Sequence, residues 1–533
     1  MRRAVALVSL AALVVALAAT LPAGAAGSSP QSSSSFNAKE YKRTHGYLPL
    51  KGVATLKAAK EHSAKMVAEG KVPATPVTKW PASPNARNTP VTGANWQGVA
   101  SSNLTPPDAN GAIGPNSYVE TVNVKMGIYN RTGGTIATGN LSNFHSGSPT
   151  DPMALWDPHT QRFYFAYLNV NNATMVWGFS KSANPTTVNS TSWCSYQQSF
   201  GYPTSSIPDY PKLGQTADFL LIGVNFYPTF SSQSATEADL LWIRKPQGTG
   251  TVTTCPAQPG SGKFTDLRNT DNTIAFTPTP AIQTDPSSTG YVMTMSDIEC
   301  PPICGTGTLL TVFTITSNGG NPPSPVLSAP DSITVGSYQS PADADQPGTS
   351  NKLDTLDGRI THAVSGVDPR FGVTAVWVAH TVLAPAGAGI RWYEVDAAGG
   401  SILQSAVMAN PGIDIFNAGI SNDRTCTVSS CAHGSAMVLG GTGSSSSLFA
   451  TIGMVSKVGA GAVSGVVVIK QSTTFDSNFS CSPCRWGDYG GATPDPAASL
   501  AAATGKVWLS QQWTAGGGFA SSGDRTQNWE ATP

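Results

Sequence analysis

The sequence carries little charge, and the charge that it carries is balanced. Asp, Glu, Lys and Arg make up 12% of the 533 residues, against about a quarter in an average soluble protein. The 31 basic residues equal the 31 acidic residues in number, so no excess of one sign points to nucleic acid or to an anionic surface. Gly (54) and Pro (40) are abundant. This composition is common among all-β proteins that meet carbohydrate outside the cell, so we expect an extracellular polysaccharide or glycoconjugate as the partner and no nucleic acid.

The sequence also lacks the short motifs of several enzyme classes. It contains no H-E-x-x-H, no G-x-S-x-G and no phosphate-binding loop, which argues against metalloprotease, α/β-hydrolase and nucleotide chemistry. "DANG" (108–111) and the acidic loop 343–357 offer oxygen ligands, but neither has the spacing of an EF-hand. We therefore expect no cofactor, with calcium as an open alternative.

Long apolar runs are absent except at the N-terminus. Arg2 and Arg3 precede the apolar run 4–21, and the small residues "AGAAG" follow at 23–27. This order predicts a secretory signal peptide over residues 1–26 and a secreted, extracellular protein. A transmembrane anchor is the alternative, because the run is nearly long enough to span a bilayer. We expect the mature chain to be a monomer without a membrane span.

Eight cysteines occur mostly in close pairs, which in an exported chain predicts disulfides. A redox or zinc site is the alternative for "CSPC" (481–484), but no βαβ unit and no second ligand pair lies near it. The predicted bridges are Cys300–Cys304, Cys426–Cys431, Cys481–Cys484 and the longer Cys194–Cys255.

Residues 27–94 form a predicted linker before the main domain. The stretch 52–70 is rich in Ala, Lys and Glu and predicts one amphipathic helix that ends near Gly70. Residues 71–92 are rich in Pro and Thr and should be extended. We interpret the region as a spacer, with a pro-segment as the alternative.

Residues 95–533 contain a faint repeat. Short runs of Val, Ile, Phe, Tyr and Trp alternate with Gly, Pro, Asn, Asp and Ser turns, which is typical of short strands. A strand of small and apolar residues leads to a turn and then to one or two apolar strands. The repeat occurs seven times, at 106–123, 150–170, 208–226, 279–297, 360–382, 433–455 and 486–513.

The repeat predicts an all-β fold: a single β-propeller, preceded by a short and partly helical N-terminal segment. Each unit is a small sheet that cannot bury its apolar face alone, and radial stacking buries these faces. The small residues of the first strand suit the tight central channel. Seven blades are predicted, with six as one alternative and two tandem β-sandwiches as another.

Ionisable and aromatic residues recur at the start of the predicted innermost strands. Propeller ligand sites usually lie there, at the mouth of the channel. "RWGDYGG" (485–491) opens the innermost strand of the last blade on this alignment. The full set is Asp108, Asp151, Asp209, Tyr210, Arg359, His362, His433, Arg485, Asp488 and Tyr489.

Several of these stretches resemble a known group of proteins. "PPDANGAIGPNSYVETVN", "DPMALWDPHTQRFYFAYL", "DYPKLG", "GIRWYEVD" and "RWGDYGG" look like uncharacterised secreted bacterial propellers distantly similar to the sialidase-like, BNR-repeat superfamily. The resemblance covers about residues 95–530 and implies fold and location. The Asp-box of true sialidases has only a degenerate counterpart at 522–529, and their R-x-P motif occurs only at 244–246, in the third unit.

Three functions fit the predicted channel mouth. A sialidase-like glycoside hydrolase, the leading enzymatic hypothesis, needs an acid and a base or nucleophile. A polysaccharide lyase would use a His or Tyr base and an Arg, and a non-catalytic propeller would bind sugar or protein with aromatic residues such as Trp156. Enzyme and non-enzyme stay open, and structural capping of turns by Asp is the alternative for each residue. Candidate catalytic residues are Asp488, Tyr489, Asp209, Asp151, His362 and His433; candidate ligand-binding residues are Arg485, Arg359, Tyr210, Trp486, Trp156 and Asp108.

Overall fold

A computed structural model describes residues 53–82, 89–100, 105–232, 234–296, 306–426, 431–477, 483–516 and 523–533. The described residues form one α-helix, α1 (Val53–Ala68), and thirty strands. No helix in these ranges is both long enough and apolar enough to cross a membrane. The predicted signal peptide, 1–26, lies outside the described residues.

The strands form seven sheets of four or five strands, here called blades 1 to 7. Within a blade most strands pair antiparallel with the next strand along the chain. The innermost strands of successive blades contact one another around a closed ring, so the prediction of a seven-bladed β-propeller is confirmed. Blade 1 contains β2 (Asn110–Ile113), β3 (Ser117–Val122), β4 (Lys125–Asn130) and β5 (Thr135–Asn140); blade 2 contains β6 (Pro149–Asp157), β7 (Arg162–Asn169), β8 (Thr174–Ser180) and β9 (Trp193–Gln198); and blade 3 contains β10 (Ile207–Gln215), β11 (Phe219–Tyr227), β12 (Glu237–Arg244) and β13 (Ser261–Phe264). Blade 4 contains β14 (Ala275–Pro280), β16 (Gly290–Ser296), β17 (Gly307–Ser317), β18 (Pro325–Leu327) and β19 (Asp331–Tyr338), and blade 5 contains β15 (Ile282–Gln283), β20 (Ile360–Asp368), β21 (Val373–Val382), β22 (Gly389–Asp396) and β23 (Ser401–Met408). Blade 6 contains β24 (Asp414–Asn422), β25 (Ala436–Ser445), β26 (Leu448–Val458) and β27 (Val467–Gln471), and blade 7 contains β28 (Gly491–Pro494), β29 (Val507–Thr514), β30 (Asp524–Thr532) and β1 (Val91–Gln97).

The ring is closed by pairing the two ends of the described chain. β1 is the outermost strand of blade 7 and pairs antiparallel with β30, from Val91 opposite Thr532 to Gln97 opposite Gln527. This strand begins four residues before the predicted propeller boundary at residue 95. The hydrogen bonds between β1 and β30, rather than a covalent bond, close the ring between the first and the last blade.

Both faces of each inner strand are buried, because each blade packs between two others. In β7, Phe163, Phe165 and Tyr167 pack toward blade 1. The alternate residues Tyr164 and Leu168 pack toward blade 3. Because successive side chains of a strand point to opposite faces, alternate residues of β7 belong to two separate hydrophobic cores.

The predicted position of the sixth repeat was wrong, because the predicted unit begins one strand too late. The innermost strand of blade 6 is β24, whereas the predicted unit 433–455 contains β25 and β26. The small residues of "SAMVLGG" suggested an inner strand, but β25 is equally buried between neighbouring blades. His433 therefore precedes the second strand of its blade and lies at the opposite end from the predicted rim.

Two predicted disulfides are present among the described residues. Cys194 and Cys255 are bonded with Cα atoms 5.5 Å apart, and Cys426 is bonded to Cys431. Cys484 is also disulfide-bonded, while its predicted partner Cys481 lies outside the described residues. The predicted pair at 300 and 304 lies outside them too.

The N-terminal segment packs against the propeller. In α1, the side chains of Leu56, Ala59, Lys60 and Ser63 are buried. The ammonium of Lys60 lies 2.5 Å from Asp343 and 2.9 Å from Asp354. Further along, the segment continues as a strap whose backbone bonds to blades 5 and 6, at Ala409 and Val466.

Candidate functional site

The channel has two mouths, which we call upper and lower. The innermost strands begin at the upper mouth and end at the lower mouth. Most predicted site residues lie at or near the upper mouth: Asp108, Asp151, Asp209, Tyr210, Arg359, His362, Arg485, Trp486, Asp488 and Tyr489. Trp156, near the end of β6, and His433 lie at the lower mouth instead.

A repeated β-bulge positions residues at the upper mouth. The innermost strands of blades 2 to 6 each shift register near their start. A bulge inserts one residue and re-aims its side chain. The bulged residues of blades 2, 3, 4 and 6 have positive φ, which is uncommon outside glycine; they are Asp151 (55°), Tyr210 (57°), Thr277 (53°) and Asn417 (58°).

Two tyrosines bridge the channel just inside this mouth. The Tyr210 hydroxyl donates to the carbonyl oxygen of Asp488 (2.6 Å), and the Tyr489 hydroxyl donates to that of Pro211 (3.1 Å). Blades 3 and 7 are not neighbours in the ring, so these bonds cross the channel. Lys212 Nζ lies 3.8 Å and 3.7 Å from the two ring centroids. Its fully buried ammonium has a pKa lowered well below the usual value by desolvation.

The two arginines of the upper mouth are paired with carboxylates within the protein. Arg359 donates from Nε to both oxygens of Asp357, at 2.8 and 2.9 Å. Arg485 pairs with Asp488, and its Nε lies 3.7 Å from Asp354. Burial lowers the pKa of Arg485, but the neighbouring carboxylates outweigh it and raise the pKa overall. Neither guanidinium is presented to an anionic ligand as a lyase or a sialidase would require.

Three carboxyl groups from blades 1, 2 and 7 interact at the same mouth. Asp108 is 1% exposed and accepts the backbone N–H of Asp488 (2.8 Å) and the amide of Asn123 (2.7 Å). Burial raises the pKa of Asp108 well above its usual range, and the charges of Asp488 and Asp151 add to this. Asp151, Asp209 and Asp488 are partly exposed, and so is Arg485, so these carboxylates and one guanidinium of this mouth reach solvent.

His362 and Trp486 serve packing in this arrangement. His362 Nδ1 lies 2.8 Å from the carbonyl oxygen of Ile420 in the next blade. Burial lowers the pKa of His362 to about 4, so the ring is neutral at physiological pH. Trp486 is 1% exposed and donates from Nε1 to Thr442 (3.1 Å).

The lower mouth opens into a cavity of about 400 Å³. This volume lies within the usual range for small-molecule sites. The described residues that line it follow the innermost strands of several blades: Pro115, Trp156, Pro158, Gln161, Ile282, Gln283, Thr284, Arg424, Thr425, Cys426, Thr493, Pro494, Pro496, Ala498 and Leu500.

Two long loops wall the cavity, and His433 joins them. The loop after β24 is closed by the Cys426–Cys431 bridge, and the loop after β28 contributes Leu500, which is 61% exposed. His433 Nδ1 lies 2.8 Å from the Thr425 hydroxyl, and Nε2 lies 2.8 Å from the Ala502 carbonyl oxygen. His433 is therefore a positioning residue beside the cavity rather than a member of the upper rim.

Sequence reasoning missed this cavity as a site. Its residues come from five separate stretches between 115 and 500, and only Trp156 among them had been predicted to bind a ligand. The unusual length of the loops after β24 and β28 was the available signal, since extended loops at one face of a repeat architecture often mark a binding face.

No group of three or more His, Cys, Asp or Glu side chains is placed to hold a metal ion within the described ranges. Calcium therefore stays an untested alternative from the sequence. The acidic loop 343–357 instead uses Asp343 and Asp354 to bind Lys60.

Comparison with known proteins adds distant likenesses in shape. No family model matches the chain, and no curated protein matches it in sequence. Solved structures with similar shape include the Dos1 propeller (10% identity, 83% of this chain and 96% of that chain, TM-score 0.34). A subtype N11 neuraminidase-like protein of A/flat-faced bat/Peru/033/2010 (H18N11) shows 8% identity over 74% of this chain and 96% of that chain, with a TM-score of 0.33.

An exo-beta-1,3-galactanase from Phanerochaete chrysosporium has 9% identity over 84% of this chain and 96% of that chain, with a TM-score of 0.27. Likenesses this distant carry no argument about function. The assignment of the fold rests on the strand order and the closed ring described above, and kinship with the BNR-repeat superfamily stays a prediction.

Proposed function

We propose that this protein is an extracellular propeller that binds glycan in the cavity at the lower mouth without cleaving it. The observation that carries the proposal is the cavity itself, with an aromatic residue, four prolines and several amide and hydroxyl side chains in its lining. Saccharides combine apolar C–H faces with many hydroxyls, so a site of this mixed character suits them. Export rests on the signal-peptide pattern of residues 1–26.

The geometry of the cavity favours binding over catalysis. Hydrolysis of a glycosidic bond needs two carboxyl groups at a set separation, and elimination beside a uronate needs a base. The described lining residues include no Asp, Glu, His or Tyr. A saccharide in this cavity would meet groups that hold it and none that transfer its protons.

Trp156 and Gln161 are the residues that we expect to contact the ligand. Trp156 is 7% exposed and packs edge-on against Phe163, with ring centroids 4.9 Å apart. Gln161 is exposed at the turn between β6 and β7. The first offers apolar surface at the cavity wall, and the second offers an amide at its lip.

Hydrolysis at the upper mouth is the second candidate, favoured by one observation. Asp108 has a raised pKa beside the partly exposed Asp151 and Asp488, and enzymes use such unequal carboxyl groups as acid and base. Against it, the hydroxyl of Tyr489, one of the candidate catalytic residues, is buried and bonded to a carbonyl oxygen, so it does not face a ligand.

A polysaccharide panel tests both candidates. Purified mature protein is incubated with each glycan, and binding, new reducing ends and the absorbance of unsaturated uronates are measured. Binding without either product, weakened about tenfold (about 1.4 kcal/mol) by Gln161→Ala, supports the proposal. New reducing ends that persist in Gln161→Ala and disappear in Asp488→Asn would instead favour hydrolysis at the upper mouth. Trp156→Ala should also weaken binding, and Trp242→Ala, in β12 and away from both mouths, is its matched control.

A further inference from the structure

We infer that the cavity at the lower mouth selects uncharged saccharides and excludes acidic ones, and that Asp285 sets this selectivity by neutralising Arg424. The inference rests on the proposed function and names its ligand class. Arg424 is the one charged residue among the described residues that line the cavity. An arginine in a sugar site would ordinarily recognise a carboxylate or sulfate, so the state of its guanidinium decides the class of ligand.

The guanidinium of Arg424 is fully engaged within the protein. Nε and a terminal nitrogen each lie 2.9 Å from Asp285 Oδ1. The other terminal nitrogen donates to the carbonyl oxygens of Cys431 (3.2 Å) and His433 (3.0 Å). The side chain is 1% exposed. Its donors therefore face protein acceptors, and its charge is cancelled by an adjacent carboxylate.

Asp285 is itself held in place for this role. Its second oxygen accepts the backbone N–H of Val367 in blade 5 (2.7 Å). The Arg424 side chain belongs to the loop after β24 in blade 6, so the ion pair joins two blades beside the cavity. A carboxylate fixed by a backbone hydrogen bond cannot swing away to make room for an anionic ligand.

The remaining lining offers hydrogen-bonding partners for hydroxyl groups but no counter-charge for an anion. Gln161, Gln283, Thr284, Thr425 and Thr493 supply neutral amides and hydroxyls. A carboxylate or sulfate placed among these groups and the surrounding prolines would lose hydration without gaining a counter-charge, which is costly. A neutral saccharide loses only hydroxyl hydration, which amides and hydroxyls can replace.

The test compares neutral oligosaccharides of the glucan and galactan types with oligogalacturonides and sulfated galactans, at low and at high ionic strength, by calorimetry. We expect the wild-type protein to bind neutral probes with a Kd that changes less than about twofold with salt, and to bind acidic probes at least about tenfold more weakly. Binding confined to acidic probes would contradict this inference while leaving the proposed function intact. Failure to bind any probe would contradict the proposed function and with it this inference.

Two variants should bind acidic probes more tightly than the wild-type protein does. Gln161→Lys adds a cation at the exposed edge of the cavity. This variant should bind acidic probes more tightly than the wild type does, with an affinity that falls as the salt concentration rises. Gln161→Glu is its matched control and should gain none. Asp285→Asn should also gain acidic probes because it leaves the Arg424 charge uncompensated, and thermal melts show whether it folds. If Gln161→Lys is folded and still ignores acidic probes, charge is not what excludes them and the inference is wrong.

Discussion

Tyr210 and Tyr489 each hold the strand of the other across the central channel. The hydroxyl of Tyr210 bonds to the carbonyl oxygen of Asp488, the residue before Tyr489. The hydroxyl of Tyr489 bonds to the carbonyl oxygen of Pro211, the residue after Tyr210. The rings lie 5.0 Å apart, so two blades that are not neighbours in the ring are joined twice. This reciprocal bridge makes the upper mouth a structural closure.

The first prediction concerns this bridge. Tyr210→Phe and Tyr489→Phe should each lower the free energy of unfolding by about 1 kcal/mol, because each leaves a buried carbonyl oxygen without its donor. The two losses should not add, since each bond fixes the geometry of the other. Urea unfolding of both single variants and the double variant measures the coupling. Glycan binding at the lower mouth should be unchanged; loss of binding with unaltered stability would make Tyr489 a ligand-contacting residue instead.

The second prediction concerns acid. The folded-state pKa of His362 is about 4, below the usual value near 6.5. Between these values the unfolded chain binds the proton and the folded chain does not, so stability falls as pH falls from about 6.5 to 4. The loss is about 1.4 kcal/mol per pH unit for one site. His362→Gln should flatten the dependence of unfolding free energy on pH in this window.

The exposed His159 is the matched control for this measurement. His159→Gln makes the same substitution at an exposed position and so controls for the change of side chain itself. An equal slope in wild type and His362→Gln would mean that the imidazole is protonated in the folded protein. His380, whose pKa burial also lowers to about 4, should behave as His362 does.

The seven-unit repeat was readable because the physics of an inner strand shows in its sequence. Strands that crowd a channel favour small residues, as in "ANGAIGP" before and within β2. The same rule misplaced the sixth unit, because β25 is also packed on both faces and uses Ala, Gly and Val. Burial sets the composition of a strand, and composition alone does not tell the first strand of a blade from the second.

Most residues of the upper rim were predictable, with His433 as the exception, but the closure of the rim was not. Asp108, Asp151, Asp488 and Tyr489 do converge, as their repeat positions indicated. Whether a hydroxyl faces solvent or a carbonyl oxygen depends on distances across the channel, which no local pattern contains. The cavity at the other mouth was missed for the same reason, since the ring brings its five stretches together.

The third prediction concerns the docking of α1. Lys60 is 7% exposed at its side chain and pairs with Asp343 and Asp354. Truncation to Ala leaves the partly buried Asp343 without this cation and leaves the buried Asp354 with Arg485 Nε at 3.7 Å, which costs up to about 3 to 5 kcal/mol. Lys60→Ala should therefore expose α1 to limited proteolysis and lower the Tm. Lys57→Ala, which removes a lysine with a 73% exposed side chain from the same helix, should do neither.

The fourth prediction concerns closure of the ring by β1. A chain that begins at residue 98 lacks this strand, so the backbone of β30 from Gln527 to Thr532 loses its partner. It also loses Trp96, whose ring lies 5.6 Å from those of Trp508 and Tyr129. Such an open edge favours pairing with other chains. We expect a lower Tm and concentration-dependent association by light scattering, whereas a chain that begins at residue 83 keeps β1 and should stay unassociated.

A synthetic peptide of residues 89–100 makes this fourth prediction decisive. Added to the chain that begins at residue 98, it should bind the edge of β30 as an added strand and raise the Tm in proportion to its occupancy. A peptide of the same composition in scrambled order should not, because Trp96 would no longer lie opposite Asn528 and pack against Trp508. If the chain that begins at residue 98 melts at the temperature of the chain that begins at residue 83 and does not bind the peptide, blade 7 is stable with three strands and closure of the ring does not depend on β1.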